Sequence, residues 1–304
     1  MMKDQIKGLH HVTAISGDPQ ENVDFFTRVM DQRLVKRTVN FDAPDTYHLY
    51  YGTQAADPGS ILTFFPFADA GPGRAGPGMA SAYAYALNPR AFDDWMIRWA
   101  ERAIDFDGPA ERFGTRVVTL RDPDGAPVEV VEQDGAPDHP GLFHGVTLWL
   151  EDIGPTRDLL VDVMGYEEAG HQTRAGEERL RLRTQGDAPF VELMRRAPDH
   201  IARPGKGTIH HVAFRASDDA DQLAWRDRLL AAGMEVTPVI DRQYFNAIYF
   251  RSPGGVLFEI ATDPPGFTRD ESPADLGTAL KLPPQYEARR AQIERILPPL
   301  KVEA

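Results

Sequence analysis

The feature that most limits what this 304-residue chain can fold into is a unit that recurs four times. It is clearest from Gly207 to Asp263. "TIHHVAFRA" is apolar and β-branched, as a strand requires. "DDADQLAWRDRLLAAG" places Leu223, Trp225, Leu229 and Leu230 at helical spacing and stops at Gly233, a C′ glycine. "MEVTPVI", "FNAIYFRS" and "GGVLFEIA" read as three strands, with "SPGG" as the turn before the last. The same β-α-β-β-β order starts at "LHHVTAISGD", at "SAYAYALNPRAFDDW" and at "FHGVTLWLEDIG". Modules 2 and 4 close on related segments, "RDPDGAPVEVV" and "RSPGGVLFEIA". The Pro/Gly-rich "FADAGPGRAGPGMA" lacks the G-K-[ST] of a phosphate loop and reads as a linker. One such module cannot cover both faces of its sheet, so modules must pair. The expected class is α+β: four βαβββ modules forming two cup-shaped mixed sheets. Along the chain, residues 1–135 hold modules 1 and 2, and residues 136–263 hold modules 3 and 4. Residues 264–304 form a tail with one helix, flanked by prolines in "PPQYEARRAQIERILPPL".

Four of the nine histidines sit in two copies of H-H-V, His10–His11 and His210–His211. Strand alternation sends Val12, Val212 and Phe214 to one face, with His10 and His210. It sends His11, Thr13 and His211 to the other, which is the concave face. In the last strand of module 4, Glu259 stands between Phe258 and Ile260, and buried carboxylates are rare unless paired or coordinated. Aligning the modules puts Phe64, Glu129 and Glu192 at the position of Glu259. It puts His11, Ala82 (or Ser81), Gly145 and His211 at the first-strand position, with His144 one residue off. Pairing module 1 with module 4 is the arrangement that assembles two imidazoles and one carboxylate. Module 2 then pairs with module 3, and Glu129 and Glu192 share a cup without histidine. His11, His211 and Glu259 form a two-histidine, one-carboxylate set, which leaves open positions on octahedral Fe(II). Zn(II) or Mn(II) is a substitute for that ion. Tyr249 of "AIYFR" corresponds to Tyr50 of "YHLYYG" and is a candidate proton donor. Arg242 is a candidate to hold a distal oxygen. Thr13, on the ligand face, and His48, in a strand of module 1, are candidates to touch substrate.

These residues lie in stretches that resemble a known family. "LHHVTA", "DFFTRVMDQRLVKRTVNFD", "YHLYYG", "IHHVAF", "DRQYFNAIYFRSPGGVLFEIATDPPGF" and "LGTALKLPPQYEARR" are similar to the vicinal oxygen chelate superfamily, and within it to ring-cleaving dioxygenases of hydroquinones. The resemblance implies Fe(II) held by His11, His211 and Glu259. It implies a small aromatic substrate and O2 as partners, with both oxygen atoms entering the product. It also implies that His10 and His210 border the active site, His210 as a catalytic group and His10 against the substrate. Glyoxalase I of the same superfamily uses two histidines and two glutamates, whereas Phe64 is expected at the fourth position here. Two rival functions share the fold: a metal-dependent isomerase or lyase, and a binder of small aromatics without turnover.

Composition narrows the remainder. The net charge of −13 argues against nucleic acid and anionic membranes. No apolar run approaches the ~20 residues of a membrane span, and no signal peptide is legible at "MMKDQIKG", so a cytoplasmic setting is expected. The absence of cysteine excludes thiolate ligands and nucleophiles. A homodimer is compatible with the fold.

Overall fold

A computed structural model describes residues 5–302 of the chain. Module 1 contributes β1 (Leu9–Ser16), α1 (Pro19–Asp24, continuing into a π turn over Phe25–Val29), β2 (Arg33–Asn40), β3 (Ala43–Gly52) and β4 (Ile61–Pro66). Module 2 contributes β5 (Met79–Leu87), α2 (Pro89–Glu101), β6 (Phe106–Arg112), β7 (Thr115–Arg121) and β8 (Pro127–Glu132). Module 3 contributes β9 (Phe143–Trp149), α3 (Gly154–Asp158, continuing into a π turn over Leu159–Val163), β10 (Glu167–Arg174), β11 (Glu177–Arg183) and β12 (Phe190–Arg195). Module 4 contributes β13 (Thr208–Ala216), α4 (Asp219–Ala231), β14 (Ile240–Asp241), β15 (Phe245–Arg251) and β16 (Leu257–Pro265).

Two eight-stranded mixed sheets result, one in the order β14-β15-β16-β13-β1-β4-β3-β2 and the other β10-β11-β12-β9-β5-β8-β7-β6. Module 1 therefore pairs with module 4, and module 2 with module 3, through the antiparallel seams β1–β13 and β5–β9. Helices cover the outer faces. Three of them start at side-chain caps: Asp18 accepts from the backbone of Gln20 and Glu21, Asn88 from Ala91 and Asp218 from Asp221. In α2, Ala91, Phe92, Trp95 and Trp99 lie along one buried stripe. In α4 the buried stripe is Gln222, Trp225 and Leu229, while Leu223 and Leu230 face solvent.

Two glycines let the sheets close on each other. Gly8 and Gly207 precede the paired histidine strands with φ of +89° and +83°. A Cβ on Gly8 would stand 2.2 Å from the Asp187 carbonyl oxygen, and one on Gly207 2.2 Å from that of Asp124. Each strand start is thus clasped by a turn of the other sheet, and a side chain at either position is excluded by both contact and backbone conformation.

Two expectations change. "MEVTPVI" forms a strand only at Ile240–Asp241. Pro238 has no N–H to continue a ladder, and the segment is tied to β15 through Thr237, whose amide donates to Tyr249 O and whose hydroxyl accepts from Tyr249 N. The tail carries two short helices, α5 (Pro284–Glu287) and α6 (Arg290–Ile296), in place of one. They are separated at Ala288–Arg289, where the Arg289 amide closes a tight turn onto Tyr286 O. The tail lies outside the first sheet. Lys281 donates to Arg37 O, the Tyr286 hydroxyl donates to Phe41 O, and Ile293 and Leu297 are buried against the sheet.

The tail is pinned by a buried charge. Lys36 on β2 is fully buried and bonds Asp270 at 2.6 Å and also Glu271. Its Nζ lies 4.9 Å from the Tyr244 ring, and the Tyr244 hydroxyl donates to Asp270. Breaking such a pair from one side strands the other charge, which costs more than the pair itself contributes. Lys36→Met should therefore lower unfolding free energy by about 3–5 kcal/mol in urea titration. A loss within about 0.5 kcal/mol, as for an ordinary surface site, would show that the carboxylates are solvated instead.

Candidate metal centre

The β1–β13 register places His11 opposite Ala213 and Thr13 opposite His211, so the two ligand histidines are diagonal neighbours on one face. Beside β13, the parallel strand β16 sets Glu259 next to Ala213. Three side chains from three adjacent strands thus converge at the floor of the first cup. His11 Nε2 and His211 Nε2 are 3.3 Å apart. Glu259 Oε2 is 2.9 Å from His211 Nε2 and 3.5 Å from His11 Nε2. All three residues are buried, and their donor atoms lie within 4.8 Å of one another.

This arrangement fits a divalent ion. Ligands at right angles on metal bonds of ~2.1 Å stand ~3 Å apart, close to the separations found. Both Glu259 oxygens are buried and receive no well-aligned hydrogen bond, despite the short contact to His211. Burial alone would raise the Glu259 pKa; the electrostatic influence of the adjoining His11 and His211 outweighs it and holds the group well below the usual carboxylate range. An anion sealed in this way calls for a cation.

The paired histidines now have distinct tasks. His10 Nδ1 meets His11 Nδ1 at 2.9 Å, and His210 Nδ1 meets His211 Nδ1 at 2.8 Å. Burial lowers the pKa of His10 well below its ordinary value and that of His210 to about 4, so both rings are neutral at pH 7. With His10 Nδ1 as the acceptor of His11 Nδ1–H, the Nε2 lone pair of His11 is left for a metal. His210 can do the same for His211. The first histidine of each pair sets the tautomer of the second, the usual service of an outer ligand.

Above the floor is a cavity of about 580 Å³. Phe41, Phe65, Phe67 and Phe245 form its apolar walls. Thr13, His48, His210, Arg242 and Tyr249, all singled out in the sequence, line it with the three ligands. His10 does not. It was expected against the substrate, but its ring turns behind the strand to pack against His11 and Phe245. Arg242 Nε donates to the Tyr249 hydroxyl at 3.1 Å, and its Nη1 pairs with Asp42 at 3.2 Å. The Arg242–Asp42 pair links modules 4 and 1 across the rim. Burial, with the charge of Glu259, raises the Tyr249 pKa well above 10 against the opposing pull of Arg242, so the phenol keeps its proton.

The residue opposite Glu259 is Thr63, not Phe64. Tyr249 pairs with Glu259 on β15–β16, and its counterpart Tyr50 pairs with Thr63 on β3–β4. Phe64 points to the other face, against Phe26 and Tyr51. An apolar run, "ILTFFPF", hid the one-residue difference. Phe245, packed on His11 at 4.9 Å between ring centroids, also escaped the sequence reading, although it opens β15 and alternation through Ala247 sets it on the face of Tyr249.

The second cup is built on the same plan with different charges. Glu129 is clasped by Arg112 at 2.8 and 2.6 Å, and Glu192 by Arg179 and Arg181. His144 lies apart, bonded to Gln133 and packed on Phe190. Each carboxylate there already has its cation.

A family model described as the Glyoxalase/Bleomycin resistance protein/Dioxygenase superfamily matches residues 8–130 and 142–260. The Bacillus subtilis (strain 168) protein MhqO, provisionally named a ring-cleaving dioxygenase, is 43% identical over 99% of both chains. The chlorohydroquinone/hydroquinone 1,2-dioxygenase of Sphingobium indicum is 32% identical over 97% of each. A crystal structure of a B. subtilis protein provisionally named a dioxygenase superposes with a TM-score of 0.92 at 43% identity, covering 99% of each chain. Glyoxalase I from Zea mays shares the fold at a TM-score of 0.65 and 14% identity, over 84% of this chain and 92% of its own.

The ligand geometry predicts the outcome of metal analysis. His11→Ala, His211→Ala and Glu259→Gln should each lose bound divalent metal by at least tenfold, the scale on which even outer-shell changes act. His144→Ala should retain it. Metal retained by His11→Ala and lost by His144→Ala would place the centre in the other cup.

Proposed function

We propose that this chain, which belongs to the Glyoxalase/Bleomycin resistance protein/Dioxygenase superfamily, is an Fe(II)-dependent, extradiol-type ring-cleaving dioxygenase of hydroquinones or related phenols. The observation that carries the reading is Glu259, buried with two imidazole Nε2 atoms at the floor of an aromatic-walled cavity. Relatives named as ring-cleaving and hydroquinone dioxygenases, matched over nearly the whole chain, support the choice of reaction. The uncharged Thr63 opposite Glu259 favours it over a centre with two carboxylates.

Fe(II) held by His11, His211 and Glu259 would offer an open face for a phenol oxygen and a path for electrons from the ring, which is oxidised, to O2. The chain's residues do the remainder. The phenylalanine walls take the ring and exclude water from the floor. His10 and His210 hold the ligand imidazoles with Nε2 inward. Tyr249, kept protonated, offers its O–H to an oxygen of the substrate, while its own oxygen accepts from Arg242. Arg242, anchored by Asp42 at the rim, is placed to hold the distal hydroxyl. One O2 is consumed per ring, a carbon–carbon bond beside a hydroxyl-bearing carbon breaks, and both oxygen atoms end in the product.

Oxygen uptake by the Fe(II)-loaded protein with a panel of hydroquinones and catechols, with mass spectrometry of products from ¹⁸O2, tests this. Uptake of one O2 per ring with two labelled atoms retained is expected. Binding without uptake would make the protein a carrier, and product formation without O2 would make it an isomerase or lyase. Tyr249→Phe should keep its iron and lower kcat by at least about tenfold, the modest end of general acid–base contributions. An unchanged kcat with a shifted Tm would reduce Tyr249 to a packing group.

A further inference from the structure

The tail beyond module 4 touches both sides of the cavity mouth, although none of its residues is among those lining the cavity. On the module 4 side, Arg242 opens a γ-turn. The Tyr244 amide donates back to Arg242 O at 2.8 Å, across Gln243 with a φ of +69°. A side chain resists that conformation, and such turns persist where their surroundings over-determine them. The local contribution is the Asp241 carboxylate, which accepts from Gln243 N at 2.7 Å. The rest comes from the first residues of the tail. Arg269 Nη1 donates to Gln243 O at 2.7 Å, Gly266 N to Tyr244 O at 2.9 Å, and the Tyr244 hydroxyl to Asp270 at 3.0 Å. Phe267 stacks on the Tyr244 ring with centroids 5.3 Å apart.

On the module 1 side, the tail runs along β2. Arg37 Nη2 donates to Thr278 O at 2.9 Å, and the Lys281 amide donates to Arg37 O at 2.9 Å. Beyond β2 comes the Phe41–Asp42 turn, where the Tyr286 hydroxyl donates to Phe41 O at 2.7 Å. Asp42 then meets Arg242 across the mouth at 3.2 Å. β14 and β2 are the two edges of this eight-stranded sheet, and the tail crosses from one to the other. The joint is Asp270, which takes Tyr244 beside β14 and Lys36 on β2. The edges of the second cup, β10 and β6, meet directly: Gln172 accepts from Phe113 N at 2.8 Å, and Arg174 donates to Glu111 O at 3.2 Å. The first cup is tied from outside instead, which leaves its interior free for a ligand.

We propose that residues 266–286 are an external strap on the metal cavity, and that Arg269, Asp270 and Tyr286 are positioning residues within it. Arg269 and Asp270 hold the γ-turn that aims the Arg242 guanidinium into the cavity. Tyr286 holds the turn that carries its counter-ion, Asp42. Arg242 is thereby kept where the distal hydroxyl of a hydroquinone would lie, by residues that never touch it. The inference deepens the hydroquinone reading of the cavity and rests on it.

The test uses the Zn(II)-loaded protein, which is redox-silent, under nitrogen. Its probes are hydroquinone and phenol, which differ in the distal hydroxyl alone, and binding is read by calorimetry. Arg269→Met and Tyr286→Phe each delete one hydrogen bond onto a rim carbonyl. Each should weaken hydroquinone binding about two- to tenfold and leave phenol binding unchanged, with zinc content as in the parent. Arg269→Lys, which keeps a donor, should restore most of the affinity. Arg269→Met added to Arg242→Met should cost nothing further, because Arg269 acts through Arg242. Amide hydrogen exchange read by mass spectrometry should quicken at residues 241–246 in Arg269→Met and at residues 40–43 in Tyr286→Phe, with the second sheet unchanged. Equal losses for both probes, no loss, or unchanged exchange at the rim would make these residues surface packing and overturn the strap. A parent protein that binds phenol as well as hydroquinone would overturn it too, since Arg242 would then have no distal oxygen to hold. Turnover is not read here, so a protein that fails the oxygen-uptake experiment can still pass this one.

Discussion

The structure depends on the antiparallel seam between β1 and β13. Diagonal neighbours on such a pair stand roughly 7–8 Å apart, within reach of two imidazoles that lean together. His11 and His211 are such neighbours, and their Nε2 atoms meet at 3.3 Å. A slip of one residue would turn either histidine to the helix side. The seam is held in register from outside the site. Val12 faces Val212 toward the core, and the glycines at both strand starts are clasped by turns of the other sheet. The second sheet, which carries no histidine pair, thereby helps fix the geometry of the first.

The two cups show how charge separates a candidate metal site from a structural one. Glu129, Glu192 and Glu259 occupy equivalent positions beside equivalent strands. The first two face Arg112, Arg179 and Arg181, which neutralise them permanently. Glu259 faces two histidines whose outer nitrogens are engaged by neutral neighbours. Nothing fixed in the chain compensates its charge, and that gap is the physical basis for a bound cation. The same burial that raises Tyr249 and Tyr50 keeps both phenols protonated around it.

Much of this was legible in the sequence because repetition is a strong signal. Four modules, their pairing and the convergence of His11, His211 and Glu259 all followed from aligning the copies and following strand alternation. Where the copies differ, the reading lost resolution. The run "ILTFFPF" is apolar apart from Thr63 and holds no charge to mark the position of Glu259, so its register slid by one and Phe64 took the place of Thr63. Pro238 inside "MEVTPVI" removes a donor that a strand needs, and β14 shrinks to two residues. His10 was expected on the substrate because the family resemblance implied it; alternation placed it behind His11, and its contacts follow alternation. The pairing of Lys36 with Asp270 and Glu271 spans more than 230 positions and has no periodicity to reveal it.

The central claim is that modules 1 and 4 together hold one ion. Anomalous X-ray scattering from crystals loaded anaerobically with Fe(II), measured on both sides of the iron edge, tests it directly. The account predicts one peak in the first cup, about 2 Å from His11 Nε2, His211 Nε2 and a Glu259 oxygen. A peak beside Glu129 and Glu192, a peak at His144, or no iron between His11 and His211 would contradict it.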